Sequence, residues 1–157
     1  MSRPDSHAQP AGRRGLTIIE LVIGVAIVAV LTAVAVPQYV GYLKRVELKQ
    51  AVADIRMLEA LIGRFHTEMG TPPDDLSGVV DPLPIDPWGN PYEYIKIAGE
   101  DNPACRKDKN LHPLNSDYDL YSKGADGDSK LPLTAKASHD DVIRANDGAF
   151  VGLAEDY

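Results

Sequence analysis

The apolar and polar positions of this chain fall into three regimes. Leu16 to Val36 is an apolar run interrupted by Thr17, Glu20, Gly24 and Thr32. At 1.5 Å per residue it makes roughly 31 Å of helix, enough to cross the hydrocarbon core of a bilayer. Further on, Leu48, Val52, Ile55, Leu58, Ile62, Phe65 and Met69 recur every three or four residues, which is the spacing of one helical face. Lys44, Arg45, Glu47, Lys49, Asp54, Arg56, Glu59 and Arg64 take the other sides. Gly70 offers a left-handed cap and Pro72-Pro73 cannot continue a helix. The pattern predicts one helix from about Thr17 to Met69, roughly 80 Å long and kinked where Pro37 removes a hydrogen bond. Its first half is greasy all round; only its second half has a domain to pack against.

From Thr71 the third regime begins. Asp81 to Pro91 alternates prolines with turn residues and predicts an extended surface segment with tight bends. Trp88 within it reads as a plug for the domain core. Tyr92–Ile97 and Tyr118–Ser122 are rich in aromatic and β-branched residues and predict two strands. Residues 98–116 make a long, polar connection between them. The fold class expected is α+β, with a small antiparallel sheet packed on the amphipathic half of the helix. The predicted segments are 1–15, 16–36, 37–70 and 71–157.

Charge sharpens this division. The net charge is −7, but residues 1–15 carry Arg3, Arg13 and Arg14 against Asp5, so the remainder carries −9. A basic head before an apolar run stays in the cytoplasm and sends the acidic body across the membrane. The acidic body argues against nucleic-acid binding, which needs Lys/Arg clusters to meet phosphates. Cys105 is the one cysteine, so no intrachain disulfide forms; in its polar surroundings it reads as an incidental exposed thiol.

Glu20 is the least expected residue in the apolar run. A carboxylate in hydrocarbon costs a few kcal/mol, roughly 2.5–3.5 on insertion scales. A secretory signal ending at Ala33-Val34-Ala35, a twin-arginine signal using Arg13-Arg14 and a plain anchor each leave it unexplained. Cleavage after Gly15 accounts for it, because the new amino terminus of Leu16 supplies a cationic partner. Two charges desolvated together cost far less than one alone. Leu16 and Glu20 lie one turn apart, so the pair can close within a chain. With a small axial offset it can instead close between neighbouring chains and set their stagger, as buried polar groups set register in coiled coils.

Near the carboxyl end, Asp126, Asp128, Asp140 and Asp141 bring hard oxygen donors from two segments. Gly124 and Gly127 would let the carbonyl of Lys123 or Lys130 turn inward. Ca²⁺ draws six to eight oxygens at about 2.3–2.6 Å from such carboxylates and carbonyls. The same pattern describes solvated turn acids, and spacing leaves both open. It is not an EF-hand, since a loop begun at Asp126 has Leu131 where Gly is required. The enzyme motifs sought are missing: Gly-x-Ser-x-Gly, a phosphate-cradling glycine loop, His-Glu-x-x-His. His7, His66, His112 and His139 are scattered.

Gly15-Leu16-Thr17-Ile18-Ile19-Glu20 after a basic leader resembles the class III signal of type IV pilin-like proteins, with Pro37 at that family's kink. The resemblance implies cleavage between Gly15 and Leu16 and N-methylation of Leu16 by a prepilin peptidase. Asp86-Pro87-Trp88-Gly89-Asn90-Pro91-Tyr92, Tyr118 to Gly127 and the Asp140-Asp141 pair resemble the major pseudopilins of type II secretion systems. That resemblance implies a type IV pilin-like fold with a calcium-binding C-terminal loop. Asp126, Asp140 and Asp141 would be side-chain ligands of a structural Ca²⁺, joined by Asp128 and the Lys123 carbonyl; removing the metal would then loosen the loop. It also implies a non-enzymatic subunit held in the inner membrane by one span, with its C-terminal domain in the periplasm. Its partners would be copies of itself in a helical filament, minor pseudopilins, an inner-membrane platform protein and exported folded proteins. A type IV major pilin and a membrane-tethered calcium-binding domain are the alternatives. Such pilins usually close a C-terminal loop with a disulfide, which one cysteine cannot do.

Overall fold

The computed structural model describes residues 15–97, 103–109 and 111–157. The expected leader, residues 1–15, lies outside them except for Gly15, as does part of the connection after the first strand. The chain divides into two units, 1–41 and 42–157, and one helix, α1 (Ile18–Met69), contributes to both.

In the first unit α1 is long and apolar enough to cross a membrane, and nothing in its apolar stretch is buried. Leu21, Val22, Val25, Val28, Val30 and Leu31 all stand exposed. A helix apolar on every side, with no protein covering it, is suited to lipid or to other helices. Pro37 sits inside the helix without ending it.

In the second unit, residues 42–69 of α1 pack on a four-stranded antiparallel sheet in the order β1 (Glu93–Lys96), β2 (Tyr118–Ser122), β3 (Val142–Ala145), β4 (Phe150–Leu153). Tyr94 pairs with Leu120, Tyr121 with Ile143, and Ile143 with Gly152. The helix buries Ala51, Ile55, Leu58 and Ile62 against Tyr92, Tyr118, Leu120 and Val142. Of the expected stripe, Leu48 and Val52 are partly buried at its edge, whereas Met69, the last residue of α1, is exposed. There the Gly70 amide bonds the His66 carbonyl at 2.8 Å with φ +78°, the left-handed cap expected of it.

The sequence predicts two strands, and the described residues form four. The additional pair, β3 and β4, comes from Val-Ile-Arg-Ala and Phe-Val-Gly-Leu, which are too short and too interrupted by Gly and Arg to signal alternation. All five residues of β2 are buried because the sheet is covered on both faces. Leu120 and Val142 face the helix, while Tyr121 and Ile143 form a second cluster with Leu114, Leu133, Ala145 and Ala154. Leu114 and Leu133 belong to connections that would otherwise be surface loops. They fold back over the sheet and take Cys105 with them. The thiol expected at the surface is 1% exposed, and burial raises its pKa, so it is chemically quiet.

Candidate functional site

At the head of α1, Thr17 and Glu20 cap each other. The Glu20 amide donates to Thr17 Oγ1 at 3.3 Å, while Glu20 Oε2 accepts from the Thr17 amide at 2.8 Å and the Thr17 hydroxyl at 2.7 Å. This is the reciprocal capping box of Thr-x-x-Glu, a signal that the sequence carries in addition to the charge. It gives Glu20 a partner inside its own chain that leader removal would leave in place, since Thr17 lies beyond Gly15 and Leu16. Both bonds land on Oε2, which leaves Oε1 for a partner outside the turn.

In the second unit, the Asp86-Pro87-Trp88-Gly89-Asn90 turn holds the entry to the C-terminal loop. Asp86, 4% exposed, accepts from the amides of Trp88 (3.1 Å) and Asn90 (2.8 Å) and from the Ser122 hydroxyl (2.5 Å). Asn90 Nδ2 donates to the Gly124 carbonyl at 3.2 Å, and the Gly124 amide donates to Ser122 Oγ at 3.0 Å. Trp88 is partly buried against the core, with its indole N–H on Glu47 Oε2 at 3.2 Å. Gly124 has φ +65°, and a Cβ there would stand 2.2 Å from the Asp140 carbonyl oxygen. Gly124→Ala should therefore cost on the order of 2 kcal/mol or more, read as a lower unfolding temperature; an unchanged temperature would contradict this packing.

The loop carboxylates do not converge. Asp126 and Asp128 are exposed, Asp140 is partly buried, and Asp141 is fully buried. Asp140 Oδ2 accepts from the Asp126 amide at 3.1 Å, Asp126 Oδ1 from the Asp128 amide at 2.8 Å, and Asp128 Oδ1 from the Ser129 amide at 2.9 Å. Lys123 directs its ammonium to Glu93 Oε1 at 2.5 Å. Asp141 faces a cation already: its Oδ2 accepts from Arg106 Nη2 at 2.5 Å and from Ser129 Oγ at 2.6 Å. Burial pushes the Asp141 carboxyl above its usual value, while Ser129 and Arg106 pull it back. Its Oδ1 is the one buried carboxylate oxygen among the described residues without a hydrogen bond. One free oxygen beside a guanidinium is not a calcium cage, which needs six to eight oxygens. Among the described residues no three of Asp, Glu, His or Cys gather closely enough to hold an ion. The donor set as arranged does not fit the metal.

Arg106 and Arg144 organise this unit, and neither was singled out from sequence. Arg144 reaches Glu59 Oε1 on α1 at 2.9 Å and Asp117 at 2.7 and 2.9 Å, bonds the Tyr118 carbonyl at 3.1 Å, and lies 4.1 Å over the Tyr118 ring. Burial opposes its charge, but Asp117 and Glu59 outweigh burial and raise its pKa. A groove of about 670 Å³ lies along Leu48, Trp88, Leu153, Lys136 and His139. It has an apolar floor and a rim of mixed charge.

Comparison with known proteins finds a family match at the amino end and relatives over most of the chain. The family described as the prokaryotic N-terminal methylation motif matches residues 10–36. The chain is 28% identical to the type II secretion system core protein G of Pseudomonas aeruginosa over 72% of its own length and 84% of that protein's. Against the protein of the same name from Vibrio cholerae it is 29% identical over 72% and 81%. The type IV major pilin protein PilE of Neisseria gonorrhoeae matches at 28% over 87% of each chain. No solved structure matches. With a methylation motif at the head of an apolar helix and an α+β body, the chain is similar to the type II secretion system core protein G and, at comparable identity, to a type IV major pilin.

Proposed function

We propose that this chain is the major structural subunit of a type II secretion pseudopilus, a filament that assists export of folded proteins. The observation that carries the reading is the uncovered apolar half of α1, headed by Gly15, Leu16 and the Thr17–Glu20 box. A helix apolar all round leaves lipid only for another apolar setting. Polymerisation supplies one by bundling such helices from many copies. Leu16, freed by a prepilin peptidase and N-methylated, keeps a positive terminal nitrogen; Glu20 Oε1 of a neighbouring copy is its counter-ion. The subunit waits in the inner membrane with residues 42–157 in the periplasm. Assembly depends on the platform protein and minor pseudopilins. The role is mechanical rather than enzymatic.

Mass spectrometry of the protein from its host should show a mature chain beginning at methylated Leu16. A chain retaining Met1 to Gly15 would overturn the filament reading and favour a simple membrane-tethered domain. The similarity to PilE supports the type IV pilin reading as second. Deleting the gene separates the two: loss of extracellular enzymes with intact surface pili supports the pseudopilus, and the reverse supports the pilin.

A further inference from the structure

We propose that in this chain the guanidinium of Arg106, rather than a divalent cation, closes the C-terminal loop, so that the domain folds without calcium. The inference goes beyond the filament reading and does not depend on it. Arg106 arrives from the long connection between β1 and β2, the segment that looked oversized for a hairpin. Residues 103–109 are laid against the C-terminal loop itself. The Lys107 amide donates to the Leu131 carbonyl at 3.1 Å, and the Leu133 amide to the Lys107 carbonyl at 2.9 Å. The Arg106 amide is fixed by Asp119 Oδ2 at 2.6 Å, and Asn115 Nδ2 holds the other oxygen of Asp119 at 2.8 Å.

Anchored in this way, the Arg106 side chain is 2% exposed and meets Asp141, which is 0% exposed. Ser129 bridges the pair, accepting from Arg106 Nη1 and donating to Asp141 Oδ2. The guanidinium lies 4.4 Å from the centre of the Tyr121 ring. One cation thus ties together the β1–β2 connection, β2, the loop at Ser129 and the start of β3, which is what a structural metal does in a loop of this kind. A dication on Asp141 would sit beside this fixed positive charge and be repelled by it. Asp126, Asp128 and Asp140 each turn one carboxylate oxygen to a loop amide.

The test uses the full chain in detergent micelles. Its thermal unfolding should be superimposable in excess chelator and in millimolar Ca²⁺, and elemental analysis after dialysis against Ca²⁺ should find none retained. Arg106→Ala, which strands the Asp141 carboxylate, should lower the unfolding temperature by roughly 10 °C or more. A fall in the wild-type unfolding temperature on chelation, or one calcium retained per chain, would overturn the proposal. So would an Arg106→Ala protein that melts like the wild type. If that variant does not fold, the two wild-type measurements decide the question unaided.

Discussion

Glu20→Leu is expected to insert in the membrane and lose its leader normally, yet to yield filaments reduced at least tenfold, whereas Glu20→Gln separates two causes. The capping box needs only an acceptor at the position three residues after the cap, and Gln satisfies it as Glu does. Pairing with the terminal nitrogen of another copy needs the negative charge. Losing a cap costs roughly 0.5–2 kcal/mol of helix stability, a small loss for a helix held by lipid. Leaving the terminal cation of every subunit unpaired in an apolar bundle costs several kcal/mol per copy. If charge is what assembly uses, Gln and Leu both abolish filaments. If Gln assembles normally and Leu does not, Glu20 is a helix cap, and the stagger of the filament has another origin. Electron microscopy of overexpressing cells, beside blots for cleaved protein in the membrane, reads both outcomes.

Arg144→Ala should destabilise residues 42–157 by about 3 kcal/mol, toward the lower end of what breaking a buried ion pair costs. The guanidinium is 4% exposed, but Glu59 and Asp117 keep 22% and 31% of their side-chain surface, so water recovers part of the loss. Two further interactions go with it: the bond to the Tyr118 carbonyl and the stacking on the Tyr118 ring. Arg144→Lys keeps a charge but not the planar fork that spans Glu59 and Asp117, so an intermediate loss is expected. Glu59→Gln should cost about 1 kcal/mol or less. Denaturant titration of the three variants in detergent gives the order; an Arg144→Ala protein within about 0.5 kcal/mol of wild type would show that the helix packs on the sheet without help from this ion pair.

The elements legible in the sequence are those whose signal is local. The apolar run, the three-and-four spacing of Ile55, Leu58 and Ile62, the Gly70 cap and the alternation of β2 each state their structure within a few residues. Thr17-x-x-Glu20 is equally local, but a carboxylate in an apolar run signals charge pairing and capping alike. The opposite holds for β3 and β4. Val142–Ala145 and Phe150–Leu153 become strands because β2 and each other supply the hydrogen-bonding partners. Cys105 shows the same dependence: a thiol among polar residues is buried because the connection that carries it folds over the second face of the sheet.

The residue pattern already divides this protein into an apolar, lipid-ready half-helix and a packed acidic body. Hydrophobic period and length depend on nothing outside the segment. The tertiary structure alone decided how the charges of that body are used. Asp141 and Arg106 are 35 residues apart, and Glu59 and Arg144 are 85 apart. An ion pair acquires its strength from burial and from the partner that the fold brings to it, and neither is written in the residues on either side.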